Sequence, residues 1–138
     1  MASLTRLFID FHVGMYRRTG GRFGGNLGGA HILLLTTTGR KSGQARTTPL
    51  RYLPHGDGYM VVGSNNGQPK PPNWFLNLQA NPTVQLQVMD KQISARAEVA
   101  SAQEHDALYQ QFIDADKRFA TYVQTSGRTI PVILLHPL

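Results

Sequence analysis

Between residues 30 and 63, three runs of strand-forming side chains follow one another with only turn-length spacers between them. They are 31–38 (HILLLTTT), 45–53 (ARTTPLRYL) and 59–63 (YMVVG). The spacers are 39–44 (GRKSGQ), with permissive Gly39 and Gly43, and His55-Gly56-Asp57-Gly58. A parallel pairing would need a crossover of a dozen residues or more, so the three strands are predicted to form an antiparallel meander. Pro49 has no N–H for a ladder, which assigns its strand to an edge or a bulge. A second hairpin is predicted from 83–89 (TVQLQVM) and 92–99 (QISARAEV), turning at Asp90-Lys91. There Val84, Leu86 and Val88 share one face and Gln85 and Gln87 the other. Residues 130–135 (IPVILL) read as a last buried strand. Five or six antiparallel strands must hide their edges, and a small closed or partly split barrel does so.

Helices are predicted around these strands. Residues 3–18 carry Leu4, Leu7, Phe8, Phe11 and Met15 at helical spacing, with Ser3 as N-cap and Gly20-Gly21 as stop. The stretch 20–29 (GGRFGGNLGG) holds six glycines. It reads either as a flexible linker or as a mobile flap with Phe23 and Leu27 as apolar tips. A short helix over 72–80 opens on Pro72 and stops at Asn81-Pro82. Ser101 to Glu104 is a capping box for a helix with Leu108, Phe112 and Ile113 as its stripe. After a break at 114–117, a second short helix carries Phe119, Tyr122 and Val123 and ends at Gly127. The 138 residues therefore read as one α+β domain, 1–29 being helix and glycine-rich segment and 30–138 the barrel.

Several chemistries are excluded by residue type. The chain has no cysteine, so disulfides, thiolate metal sites and cysteine nucleophiles are absent, and a reducing compartment is expected. His12, His31, His55, His105 and His136 form no HxxxH, HExxH or HxH spacing, and no metal is expected. No GxSxG elbow is present. Asp10 and Asp57 are the only carboxylates before residue 90, which leaves paired-carboxylate chemistry unsupported. No apolar run exceeds the four residues of Ile32–Leu35, far short of a membrane span, and no signal peptide is expected.

Charge is distributed unevenly. Residues 1–70 hold 9 Lys and Arg against 2 Asp and Glu, whereas residues 71–138 hold 5 against 6. The basic half suits a polyanion: nucleic acid, anionic lipid or a phosphorylated cofactor. Arg40, Lys41 and Arg46 converge on one glycine-flanked turn, with Ser42, Thr47 and Thr48 as further donors. Such a turn is either a solvated basic hairpin or a clamp for phosphodiester or carboxylate groups, which Arg forks well. A second polar cluster runs from Ser64-Asn65-Asn66-Gly67 to Lys70, then Asn73, Trp74 and Asn77. Trp74 and Asn77 share a helix face; they either line a flat heterocycle or serve as core anchor and cap.

Residues 34–50 (LLTTTGRKSGQARTTPL), 61–67 (VVGSNNG) and 71–84 (PPNWFLNLQANPTV) resemble the deazaflavin-dependent nitroreductase family, especially its actinobacterial quinone and nitroimidazole reductases. Residues 15–18 (MYRR), Gly28-Gly29 and 128–132 (RTIPV) extend the likeness over nearly the whole chain. The resemblance implies a split β-barrel that binds the 8-hydroxy-5-deazaflavin coenzyme F-420, whose tail carries a phosphodiester and several glutamates. It implies that Arg40, Lys41, Ser42, Arg46, Thr47, Thr48 and Pro49 grip that tail. It implies that Val62, Gly63, Ser64 and Asn65, with Asn73, Trp74, Phe75, Leu76 and Asn77, line the ring. Where close relatives carry two tyrosines spaced i, i+3 before the last strand, this chain has Phe119 and Tyr122, and where some have Lys it has Asn65.

The reaction expected from the resemblance is hydride transfer to an apolar acceptor such as a quinone, enone or nitroaromatic, with Ser64 and Tyr122 as donors to the oxygen that gains charge. FMN is the less suited cofactor, since one phosphate does not call for three cations. A non-catalytic deazaflavin carrier is the alternative of another class. Nucleic acid is not an expected partner, because the aromatics of the basic half are too scattered to stack bases. Arg6, Arg17 and Arg18 flank Leu7, Phe8 and Phe11, so the first helix either packs on the barrel or touches an anionic membrane. The expectation is a cytoplasmic monomer or weak dimer, at most peripheral on the inner membrane face.

Overall fold

The computed structural model describes residues 4–138. Helix α1 (Leu4–Thr19) leads through β1 (Asn26–Leu27) into β2 (Ala30–Thr38), β3 (Ala45–Arg51), β4 (Leu53–His55) and β5 (Gly58–Val62). Then come a 3-10 turn (Asn65–Gly67), α2 (Asn73–Ala80), the β6 (Thr83–Val88) and β7 (Lys91–Val99) hairpin, α3 (Ala102–Ala115), α4 (Arg118–Ser126) and β8 (Val132–Pro137). The predicted Ser3 cap lies outside the described residues.

The hydrogen-bonded order is β1-β2-β6-β7-β8-β5-β4, and β3 pairs with the other side of β2. All the pairings are antiparallel. Strands β3 and β4 are two parts of one bent segment, interrupted at Tyr52. The first part pairs with β2 and the second with β5, so the chain itself closes the barrel. Over 45–51, β3 pairs with β2 alone, which is the edge position that Pro49 requires. Tyr52 N–H donates to His31 O at 3.0 Å. By strand alternation, Thr47, Pro49 and Arg51 turn their backbone groups to the free edge, where a missing N–H costs nothing.

The barrel is filled by Leu33, Leu35, Val61, Val84, Leu86, Ala95, Ile133 and Leu135, with α2 covering one end through Trp74, Phe75 and Leu78. A second cluster packs α3 and α4 onto the β5–β8 face through Met60, Val132, Leu134, Leu108, Tyr109, Phe112 and Phe119. Ser101 caps α3 as predicted, accepting from Glu104 N–H.

Two expectations need correction. The predicted apolar stripe of α1 faces outward: Leu7, Phe8 and Phe11 are 55%, 73% and 59% exposed. The buried face is Ile9, Val13 and Tyr16, an alternative set at equally good helical spacing, packed on Leu34. The physical reason is Tyr16. Its hydroxyl donates toward Ile32 O (3.0 Å) and Gln87 O (3.2 Å) and accepts from Met89 N–H (2.7 Å), pinning the helix over the β2–β6 seam. Val123 is likewise exposed rather than packed.

The glycine-rich stretch divides in two. Gly21 N–H donates to Tyr16 O, Gly25 N–H to Gly21 O and Ile32 N–H to Gly25 O. A Cβ on Gly24, whose φ is +86°, would strike the His12 ring. Residues 20–25 are thus a locked turn, whereas Gly28 and Gly29 have open space around them.

Candidate active site

Two cavities border β3: Thr48 lines one, and its neighbours Pro49 and Leu50 line the other. The first is a basic cleft of about 460 Å³ lined by Arg40, Lys41, Ser42, Arg46, Thr48, Asn73, Trp74 and Asn77, together with Gly39 and Arg6. Among the described residues no carboxylate lines it. The β2–β3 turn is held to α2 by one buried amide. Asn77 Oδ1 accepts from Arg40 N–H (3.2 Å) and Arg40 Nη1 (2.9 Å), while its Nδ2 donates to Thr37 Oγ1 (3.3 Å). Arg40 is therefore oriented by the protein, and Lys41 and Arg46 project into solvent from an otherwise fixed turn.

The second cavity, of about 310 Å³, is mostly apolar. Ile32, Pro49, Leu50, Val62, Phe119 and Tyr122 form its walls, and Leu27 closes one side from the glycine-rich segment. Its polar groups are Ser64, Asn66, Arg51, Asp116 and Arg118. Phe119 and Tyr122 meet edge to face, their ring centroids 5.6 Å apart.

The loop that presents Ser64 is strained and then clamped. Asn65, Asn66 and Gly67 have φ of 48°, 55° and 79°, three successive left-handed residues. Asn tolerates that region better than other side chains do, and Gly tolerates it freely. Asn65 Nδ2 donates back to Lys70 O at 2.9 Å, and Thr125 of α4 donates its hydroxyl to Gly67 O at 3.0 Å. Arg128 gathers the carbonyls of Gly63, Ser64, Gln68 and Lys70 within 2.9–3.3 Å. In the sequence Arg128 is simply the first residue of the RTIPV run, yet in the fold it positions the whole loop.

Sorted by place, Arg40, Lys41, Ser42, Arg46, Thr48, Asn73, Trp74 and Asn77 belong to the cleft, and Pro49, Val62, Ser64, Phe119 and Tyr122 to the cavity. Trp74 and Asn77 are thus brought together with the basic turn and not with Ser64. Phe75 and Leu76 pack into the core. Gly63 is buried against β8, its N–H on Pro131 O. Thr47 lies between the two regions, bonded to Thr36 and to Arg17 of α1. Sequence reasoning missed Arg51, Asp116 and Arg118. The signal was strand parity: Arg46 and Arg51 are an odd number of residues apart, so their side chains leave β3 on opposite faces.

Asp116 accepts from Arg118 through the backbone N–H (2.9 Å), Nε (3.0 and 3.2 Å) and Nη2 (2.7 Å). These bonds, with Arg51 nearby, hold its carboxyl down to a pKa of about 2. Across the second core cluster, Tyr109 donates to Phe119 O at 2.7 Å, and burial pushes its phenol up to about 12. Tyr109 thereby ties α3 to the start of the helix that supplies Phe119 and Tyr122.

An antiparallel split barrel with a cation-lined cleft on one side of β3 and an apolar-walled pocket on the other is the architecture of a protein that takes a ligand with an anionic part. Residues 9–137 match the family model described as F420H(2)-dependent quinone reductase, and the chain belongs to that family, whose coenzyme is deazaflavin F-420. It is 40% identical over 133 residues to an F420H(2)-dependent quinone reductase of Mycobacterium tuberculosis, covering 92% of this chain and 88% of the relative. A solved F420-H2 dependent reductase, FDR-A, is 36% identical, with a TM-score of 0.69 over 76% of this chain and 93% of that one. A structure described as a domain-swapped dimer is 31% identical, with a TM-score of 0.73 over 97% and 100%. A FAD-binding protein of Mesorhizobium loti, 14% identical with a TM-score of 0.56 over 78% and 80%, shares the fold alone.

Proposed function

We propose that this chain reduces quinone-type acceptors with the deazaflavin coenzyme, gripping the acidic tail in the basic cleft and reducing the acceptor in the apolar cavity. The observation that carries this reading is that the basic cleft and the apolar cavity both border β3, Thr48 lining the first and its neighbours Pro49 and Leu50 the second. The donor sets fit the coenzyme: cations and amides at one end, apolar walls at the other. Arg40, Lys41 and Arg46 hold phosphate and carboxylate oxygens, with Ser42, Thr48 and Asn73 adding neutral donors. When bound, the reduced deazaflavin supplies a hydride. The protein orients the acceptor against Val62, Pro49 and Phe119 and excludes water from it. Ser64 and Tyr122 place hydroxyls on the pocket, where they donate to the acceptor oxygen that becomes negative. Phe119 supplies packing but no hydroxyl, so Tyr122 bears that role on α4.

The test is fluorescence titration with the deazaflavin coenzyme and with FMN, followed by coenzyme oxidation with a panel of quinones, enones and nitroaromatics. Selective binding of the deazaflavin and quinone-dependent turnover are expected. Equal affinity for FMN overturns the assignment of the cleft, and tight binding without turnover makes the protein a carrier.

The outward face of α1 supports one partner. Leu7, Phe8 and Phe11 are exposed, Phe11 meets Phe23 edge to face at 6.0 Å, and Arg17, Arg18 and Arg22 are exposed on the same segment. Apolar side chains rimmed by cations suit an anionic lipid surface, where quinones also partition. No helix among the described residues is long and apolar enough to cross a membrane, so contact is peripheral. Co-sedimentation with anionic vesicles is expected for the full chain and not for Phe8→Ser/Phe11→Ser; equal partitioning of the two rejects the contact. Sedimentation equilibrium is expected to give a monomer or a weak dimer.

A further inference from the structure

We propose that Arg51 contacts the acceptor oxygen that carries or gains negative charge, and so sets the acceptor preference of the cavity; this rests on the quinone-reductase reading above. The argument begins with an imbalance. Among the described residues, the cavity wall holds two guanidinium groups, Arg51 and Arg118, and one carboxylate, Asp116. Asp116 is engaged by Arg118 through four bonds of 2.7–3.2 Å. Arg51 receives a single contact, Nη1 to Asp116 Oδ2 at 3.3 Å. Its Nε is buried and has no hydrogen-bond partner. One positive charge is therefore left under-neutralised, and it is on Arg51.

The surroundings make that charge effective. The Arg51 side chain is 21% exposed, against 74% for Arg118. Arg118 is screened by water, whereas Arg51 stands beside Ile32, Pro49, Leu50, Val62 and Phe119. A half-buried cation with spare donors and apolar neighbours takes an oxyanion by preference. Asp116 acts here as a positioning residue: one long bond orients the guanidinium without consuming its charge.

The chemistry of quinone reduction supplies such an oxyanion. A quinone gains two electrons and one hydrogen as hydride and then one proton from Tyr122 or water, giving the hydroquinone; the deazaflavin is oxidised by the same two electrons, and a Tyr122 that donates is reprotonated by solvent. Between hydride and proton, one quinone oxygen is anionic. For a neutral quinone, Arg51 meets that charge only after the reaction begins, and so affects kcat. For a quinone already carrying an ionised hydroxyl, Arg51 meets the charge in the ground state, and so affects binding.

The test compares wild type with Arg51→Met, which keeps length and leaves Asp116 paired with Arg118, and with Arg51→Lys. Three quantities are measured: coenzyme Kd by fluorescence, acceptor Kd by calorimetry, and steady-state kcat and KM. The acceptors are 2-methyl-1,4-naphthoquinone, which is neutral, and 2-hydroxy-1,4-naphthoquinone, which is ionised at neutral pH. The expected results for Arg51→Met are an unchanged coenzyme Kd, binding of the hydroxyquinone about 10-fold weaker, and unchanged binding of the methylquinone with kcat down about 10²-fold. Arg51→Lys is expected to recover part of both losses. Equal changes for the two quinones, or none, overturn the proposal, as does a weakened coenzyme Kd, which would assign Arg51 to the coenzyme. If wild type binds both quinones but reduces neither, the functional reading fails, while the calorimetric comparison still judges Arg51.

Discussion

The two cavities that border β3, a basic end and an apolar end of the site, are built on opposite principles. At the basic end, charged side chains project from a turn that Asn77 fastens to α2, and water reaches them. At the apolar end, Phe119, Tyr122, Val62 and Leu27 wall a space onto which Ser64, Asn66 and the Arg51–Asp116–Arg118 group also open. A solvated cluster of cations holds a flexible polyanion through many weak, interchangeable contacts. A pocket with apolar walls depends more on single atoms, because an unpaired or missing donor beside apolar groups is felt more strongly. The contrast predicts that affinity resides at one end and rate at the other.

The sharpest way to break that contrast is to remove one hydroxyl from the apolar end. Ser64→Ala or Tyr122→Phe is expected to lower kcat by about 10²–10³-fold with coenzyme Kd unchanged, measured by steady-state kinetics beside fluorescence titration. Unaltered turnover in both variants would remove their proposed roles. At the basic end, combined Arg40→Gln, Lys41→Gln and Arg46→Gln is expected to weaken coenzyme binding by about 10²-fold, since bonds to charged groups contribute about 1.5–3 kcal/mol each before solvent screening. Wild type should approach the triple variant as ionic strength rises, whereas the variant's own affinity should hardly respond to salt. A triple variant with wild-type affinity at moderate ionic strength would sink the clamp.

Smaller effects sharpen the picture. Asn77→Ala leaves Arg40 N–H and Thr37 without their partner, and is expected to cost about 1–3 kcal/mol in thermal unfolding while loosening the basic turn. Tyr109→Phe should cost about 1 kcal/mol. It should also flatten the alkaline limb. The raised folded pKa of about 12 means that the contribution of Tyr109 is intact below about pH 10 and fades as the pH climbs toward 12. Asp116 has the opposite sign. Its carboxyl titrates at about 2 instead of the ordinary 3.8, so its contribution is complete above about pH 4 and is lost as the pH falls toward 2. Asp116→Asn should remove that acid dependence, which denaturation followed between pH 2 and 5 would detect.

The strands were legible from the sequence because short spacers and alternation leave antiparallel neighbours as the sole economical arrangement. Even the edge position of β3 could be read, from Pro49. The basic turn was legible for a similar reason, since glycines and cations within eight residues cannot be far apart. Helix α1 was misread because the greasier stripe, Leu7, Phe8 and Phe11, is not the buried one; a phenol with three backbone partners sixteen and more residues away outweighed it, and periodicity carries no information about such partners. Trp74 and Asn77 were grouped with Ser64 as one polar cluster, whereas the turn of α2 presents them to the cleft on the other side of β3. The Arg51–Asp116–Arg118 group was invisible because its first and second members are 65 residues apart and meet only once the barrel has closed.

The four carbonyls held by Arg128 have a consequence for anyone reshaping the acceptor pocket. Residues 63–70 and residue 128 behave as a single mechanical part, a hinge pin and its leaf, although they lie about 60 residues apart in the sequence. Grafting a foreign serine loop into this barrel without its matching arginine would leave the new loop unmoored. Libraries that vary the two together should retain far more working members than libraries that vary either alone.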